Sequence, residues 1–178
     1  GITGSNGKTI IKEWLFQMLS QHRVVVKNPG SYNSQVGVPL SVWQLQLHHQ
    51  LGIFEAGISR PGEMEKLQKV IQPTLGVFTN IGPAHNEAFS SVEEKIGEKL
   101  DLFTDVQALI YCKDHSLVDQ IITARHIPSY SWGNSADADI PVQREGDVYT
   151  LTVKDNPYTL SFPFRDPASI ENALHCIA

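Results

Sequence analysis

The stretch Thr3-Gly4-Ser5-Asn6-Gly7-Lys8-Thr9 constrains the fold most, because it joins a short apolar run, Gly1-Ile2-Thr3, directly to an amphipathic segment starting at Ile10. Two glycines let the backbone curl until several N–H groups face one spot. A helix that follows points its positive dipole end at the same spot, which suits an anion. Lys8 adds a mobile charge for β- and γ-phosphate oxygens, and Thr9 a hydroxyl suited to a Mg²⁺ ion bridging them. The usual phosphate-loop pattern has a further glycine where this chain has Ile2, so the match is to its tail, Gly4-x-x-Gly7-Lys8-Thr9. The alternative is a Gly/Ser/Asn turn that merely precedes a helix. Against that, Ile10, Ile11, Trp14, Leu15, Met18 and Leu19 fall on one helical stripe. Trp14, Met18 and the later Trp43 are expected in the core.

Downstream, short apolar runs alternate with helical patterns. Strands are expected at 23–27, 51–55, 75–80 and 108–112. Between them, the turn-rich 28–34 leads into a helix carrying Leu40, Trp43, Leu45 and Leu47, with Pro39 in its first turn. A second helix opens at 61–65 with acids in its first turn. A third is capped by Ser91 and runs to about Phe103, and a fourth spans 116–125. This spacing predicts β-α-β units around a mostly parallel sheet flanked by helices, an α/β fold of the phosphate-loop type. From Tyr130 the character changes. Residues 139–163 alternate apolar and polar, with turns at Glu145-Gly146-Asp147 and Asp155-Asn156-Pro157, and predict a small antiparallel hairpin region near the C-terminal end. A last helix begins near Ala168.

At 178 residues with 19% charged residues, the chain suits one domain with a full core, 1–178. A net charge of −5 argues against nucleic acid as a partner, and no apolar run is long enough for a membrane span. Two widely separated cysteines, Cys112 and Cys176, give no disulfide framework, so a cytoplasmic setting is expected. The abrupt start within a strand-like run suggests residues missing upstream.

In open α/β sheets, ligands sit beyond the carboxyl ends of the strands. The phosphate loop follows one strand, Glu55 ends another, and Asn80 ends a third with His85 five residues on. A carboxylate and a neutral imidazole there are candidate direct or water-mediated partners of a phosphate-bound Mg²⁺. The segment 91–103 offers Lys95, Glu98, Lys99 and Asp101, whose plain reading is a solvated charged face, and spacing does not choose between Lys95 and Lys99.

As a set, these residues resemble the central ATP-binding domain of the Mur ligases, which build the peptide of the bacterial cell-wall precursor. Thr3-Gly4-Ser5-Asn6-Gly7-Lys8-Thr9 looks like that family's shortened phosphate loop. Within the family, Asn33-Ser34-Gln35-Val36-Gly37-Val38-Pro39-Leu40 and Phe54-Glu55-Ala56-Gly57, with Gly62-Glu63-Met64, are closest to the MurF type. Thr79-Asn80-Ile81-Gly82-Pro83-Ala84-His85 is similar to the family's strand-end Asn and metal-binding His. Lys99, fourteen residues after His85, matches its carbamylated lysine. Asn172 matches its adenine-contacting Asn, although Ala168-Ser169 stands where the family usually has His-Asn.

The resemblance implies ATP and Mg²⁺ as cofactors. Residues Thr3, Gly4, Ser5, Asn6, Gly7, Lys8, Thr9, Asn80 and Asn172 would hold the nucleotide; Thr9, Glu55, His85 and carbamylated Lys99 would hold metal. Lys8, Lys99 and His85 would serve catalysis. The implied reaction joins D-alanyl-D-alanine to a UDP-N-acetylmuramoyl tripeptide through an acyl phosphate. A UDP-substrate domain would precede this one and a third domain follow it, and the isolated domain is expected to be inactive. A folylpolyglutamate synthetase-like ligase and a non-catalytic nucleotide-binding module are the alternatives.

Overall fold

The computed structural model describes residues 1–82 and 88–178. Seven strands form the main sheet, in the order β1 (Ile2–Thr3), β4 (Leu75–Phe78), β5 (Ala108–Cys112), β6 (Ser129–Gly133), β7 (Ile140–Glu145), β8 (Val148–Val153) and β9 (Asn156–Ser161). The pairs from β1 to β7 are parallel; β7–β8 and β8–β9 are antiparallel. A second parallel pair, β2 (Val25–Lys27) with β3 (Leu51–Ile53), adjoins β1 through the bridge between Ile2 and Glu55. Ile2 N–H donates to Phe54 O at 2.9 Å and Ala56 N–H to Ile2 O at 2.8 Å. Strand β1 therefore lies between β3 and β4, where the strand order reverses. A crevice opens there beyond the strand ends, as α/β topology requires.

The helices are α1 (Lys8–Leu19), α2 (Gly37–Val42), α3 (Met64–Ile71), α4 (Val92–Leu100), α5 (Ser116–Ala124) and α6 (Pro167–Ile177). Alternation along the strands divides the core between the two sheet faces. Phe78, Leu109 and Tyr111 join Met64 and Leu67 of α3, Ile96 and Leu100 of α4, and Val118 and Ile122 of α5. On the other face, Ile2 and Ile53 pack with Ile11 of α1, while Cys112 and Trp132 meet Ile170 and Leu174 of α6.

The expected hairpins are present. Asp155, at the second turn, takes φ 66, and Gly146, at the first, takes φ 62. Strand β6 is an addition, because Ser129-Tyr130-Ser131 carries no run of β-branched residues and its pairing with β5 decides its state. Three core assignments are corrected. Trp43 is 85% exposed, because α2 ends at Val42 and successive tight turns carry the chain away from the sheet. Leu40, Leu45 and Leu47 are exposed with it. Met18 is 47% exposed, because α1 turns Ile11 and Lys12 inward and leaves Ile10 and Met18 at the flank. Trp14 is half-buried, stacked on Phe164 with ring centroids 5.6 Å apart.

Candidate functional site

The loop after β1 is shaped by contacts that only glycine permits. Gly4 takes φ +142, and a Cβ there would lie 2.0 Å from Thr79 Oγ1; Gly7 takes φ +80, and a Cβ there would lie 2.1 Å from Asn172 Oδ1. The loop is thus held between the end of β4 and the helix α6. Thr79 Oγ1 donates to Asn6 O at 2.6 Å, Ser5 N–H to Asn80 O at 2.8 Å, and Asn6 N–H to Asn80 Oδ1 at 3.1 Å. Thr3 Oγ1 donates to Ala56 O at 2.9 Å, tying the same loop to the segment after β3. Gly7 precedes α1, whose first turn exposes backbone N–H groups toward the crevice.

Two lysines converge on one carbonyl of this loop. Lys8 Nζ donates to Gly4 O at 2.9 Å and to Ser5 O at 3.1 Å, and Lys99 Nζ donates to Gly4 O at 3.1 Å. Helix α4 brings Lys99 there. Its N-cap Ser91 accepts from Glu94 N–H at 3.1 Å, fixing the helix start, and Lys95 and Lys99 lie one turn apart on its inner side. The solvated-face reading fails for both: Lys99 is buried, and so is Lys95, whose Nζ donates to Gly82 O at 2.6 Å. Burial, and after it the charges of Lys8 and Lys95, pull the Lys99 pKa down to about 7. Burial also lowers the Lys8 pKa, with the Glu55 carboxylate pulling the other way.

Glu55 is the third member. Asn28 holds its backbone on both sides, accepting from Glu55 N–H at 3.0 Å and donating to Glu55 O at 2.9 Å. Asn33 Nδ2 donates to Oε1 at 2.9 Å. Oε2 is buried and accepts no hydrogen bond. A buried carboxylate oxygen left open beside a phosphate-type loop fits a hard cation such as Mg²⁺, which takes oxygen ligands. Thr9 is half-buried at the start of α1. Among the described residues no group of three or more His, Cys, Asp and Glu side chains could hold a metal ion. His85 lies outside the described residues. A cavity of about 380 Å³ runs from Gly4, Ser5, Lys8 and Lys99 to Asn33, Gln35, Ser59 and Glu63, leaving room for a second ligand beside the loop.

The fold also supplies residues for which the sequence reading had no role. Lys12 is fully buried, with Nζ 3.6 Å from Glu55 Oε2. Its spacing of four from Lys8 was the available signal, since both then lie on one side of α1. Glu171, on α6 beside Asn172, accepts from Asn80 Nδ2 at 3.3 Å and pairs with His115 Nε2 at 3.0 Å. Nothing local in sequence joins positions 80, 115 and 171. Asn172 is buried against the loop, and Asp166 caps its helix by accepting from Ser169 N–H at 2.8 Å.

Residues 2–178 match the Mur ligase middle domain family. The UDP-N-acetylmuramoyl-tripeptide--D-alanyl-D-alanine ligase of Treponema pallidum is 38% identical over 104 residues, which cover 58% of this chain and 23% of that protein. The Bacillus subtilis enzyme of the same name is 29% identical over 184 residues, covering 100% of this chain and 40% of that protein. The chain therefore spans well under half the length of these relatives. In fold it is similar to the MurF ligase of Thermotoga maritima solved in complex with ADP. The TM-score is 0.83 at 24% identity, over 99% of this chain and 43% of that one. With the match extending over 2–178, the chain belongs to the Mur ligase family as its middle domain.

Proposed function

We propose that this domain binds and positions ATP in an amide-forming ligase of the MurF type, acting in the cytoplasm. The ligase would join D-alanyl-D-alanine to a UDP-N-acetylmuramoyl tripeptide. The observation that carries the reading is the convergence of Lys8 and Lys99 on Gly4 O, with the open oxygen of Glu55 at the neighbouring strand end. Two lysine side chains drawn to one backbone carbonyl mark where a polyanion would lie. The names of the relatives support the substrates, and their greater length supports flanking domains that bind the UDP-substrate and close over ATP.

In this reaction the substrate carboxylate attacks the γ-phosphoryl group, and the amine then displaces phosphate from the acyl phosphate through a tetrahedral intermediate. There is little covalent chemistry for the protein to do, so positioning and charge neutralisation dominate. The Gly4–Gly7 backbone cradles the phosphates, Lys8 moves from Gly4 O to the β- and γ-oxygens, and Asn80 and Asn172 hold the base side of the loop. Thr9, Glu55, His85 and Lys99 would hold Mg²⁺, which when bound neutralises charge on the phosphates. A pKa near 7 gives Lys99 a large neutral fraction. Its amine nitrogen can bond to the carbon of CO₂ and release a proton, leaving an anionic carbamate that accepts a hard cation where an ammonium would repel it.

The test is phosphate release by the full-length protein with Mg-ATP and UDP-N-acetylmuramoyl tripeptide, with and without D-alanyl-D-alanine. Release that requires both substrates is expected. Release only with another acceptor and amine would move the assignment to a different ligase, such as the folylpolyglutamate synthetase type. Bound ATP without release across the panel would point to a regulatory nucleotide-binding module.

A further inference from the structure

Lys12 and Glu55 form a pair of opposite charges that, unlike the other ion pairs among the described residues, has both side chains fully buried. Both side chains are fully buried, yet Nζ stands 3.6 Å from Oε2, beyond hydrogen-bond contact. Partly exposed pairs either close up, as Lys69 with Glu65 at 2.6 Å, or stand as far apart as Lys113 and Asp119 at 3.6 Å, where solvent can screen them. The Lys12 ammonium donates to Gly30 O instead, and lies 3.5 Å from Glu13 Oε1. Burying either charge alone would be strongly unfavourable, and the Lys12 ammonium is the charge paired with Glu55 inside the core. The ammonium thus balances the charge of Glu55 without occupying the lone pairs of Oε2.

We infer that Lys12 is a built-in counter-ion that stands in for a divalent cation at Glu55, letting the domain fold with this carboxylate buried and its outer oxygen open for metal. The inference rests on the reading of Glu55 as a metal ligand. Lys12 is then a positioning residue: it touches neither nucleotide nor metal, and acts through Glu55. It also sets the affinity of the site, because a fixed positive charge near Oε2 opposes an incoming cation and keeps metal capture dependent on the phosphates that arrive with it. Helix α1 therefore serves two anions from one side, a ligand's phosphates through Lys8 and the protein's own carboxylate through Lys12, four residues apart.

The experiment measures Mn²⁺ affinity by electron paramagnetic resonance and melting temperature with EDTA or with millimolar Mn²⁺, on the nucleotide-free full-length protein. The variants are Lys12→Met, Glu55→Gln and the double change. Lys12→Met is expected to bind Mn²⁺ at least tenfold more tightly than the parent. It should melt roughly 10 °C lower in EDTA and recover most of that loss in Mn²⁺. The double variant, with both charges gone, is expected to melt near the parent and ignore Mn²⁺. A Lys12→Met protein with the same melting temperature in EDTA and Mn²⁺, while Glu55→Gln still weakens Mn²⁺ binding, overturns the counter-ion role and leaves Lys12 a tether for Gly30. Glu55→Gln without effect on Mn²⁺ affinity overturns the metal reading of Glu55, and the inference with it. Should Lys12→Met fail to fold even in Mn²⁺, folding restored in the double variant supports the inference, and folding not restored overturns it.

Discussion

Glu171 shows how one side chain can tie the loop 3–9 to distant parts of the chain. Its carboxylate accepts from Asn80 Nδ2, which leaves Asn80 Oδ1 facing the Asn6 N–H. Burial pushes the Glu171 pKa up, but the hydrogen bond from His115, the neighbouring His175 ring, the His115 charge and Asn80 outweigh it and hold the pKa near 2. The hydrogen bond to Glu171 raises the His115 pKa in return, against burial. Glu171 therefore adds stability that is present above its ordinary 4.5 and is lost as pH falls toward 2. His115 adds stability that is complete below 6.5 and is lost as pH rises through its raised value. Urea midpoints compared across pH 6 to 9 should fall less steeply for His115→Gln than for the parent, and identical slopes would refute the pairing. Glu171→Ala should also weaken ADP binding roughly tenfold, the scale of one charge-assisted hydrogen bond, while Glu171→Gln keeps most of it. Equal ADP affinities in calorimetric titration would remove Glu171 from the positioning of Asn80.

At the scale of elements, two capped helices carry the site. Ser91 starts α4, which brings Lys99 to Gly4 O, and Asp166 starts α6, which brings Asn172 against Gly7. Replacing either cap by alanine should cost about 1 kcal/mol of unfolding free energy. In Ser91→Ala the Lys99 pKa should also move back toward its ordinary range, because fraying of α4 readmits water around Nζ. Reactivity of Lys99 toward an amine reagent as a function of pH would register that shift, and an unchanged profile would count against it. The acids of the expected α3 first turn divide their work. Glu65 lies within the helix, whereas Glu63 turns back to accept from Ser59 N–H at 2.7 Å and Arg60 N–H at 3.0 Å.

Over the whole molecule, the sheet places the crevice and the core fixes the sheet. Leu100 of α4 is fully buried with Phe78, Phe103 and Leu109, so Leu100→Ala should lose about 2–5 kcal/mol. Trp43→Ala, at a larger but exposed side chain, should stay within about 0.5 kcal/mol in the same denaturation experiment. A large loss at Trp43 would restore it to the core. The composition of both residues is apolar, and only their positions relative to the sheet separate them. Among the described residues, no helix is long and apolar enough to cross a membrane.

The local chemistry of the chain determined the elements that need few partners. Glycine spacing marked the loop 3–9, short apolar runs marked strands β2 to β5, and Ser91 and the two hairpin turns marked ends that depend on neighbouring backbone alone. Glu55 and Asn80 were legible as ligand-side residues because a polar group directly after a strand must lie at the sheet edge. Tertiary structure alone decided the rest. Strand β6 exists because β5 pairs with it, and Lys99 turns inward because α4 packs against the sheet. Lys12 and Glu171 gain their partners from segments 43 and 91 positions away, Glu55 and Asn80 respectively. The charges of Lys12, Lys95 and Lys99 read in sequence as parts of solvated helix faces, and only packing against the sheet and its loops buries them beside polar partners.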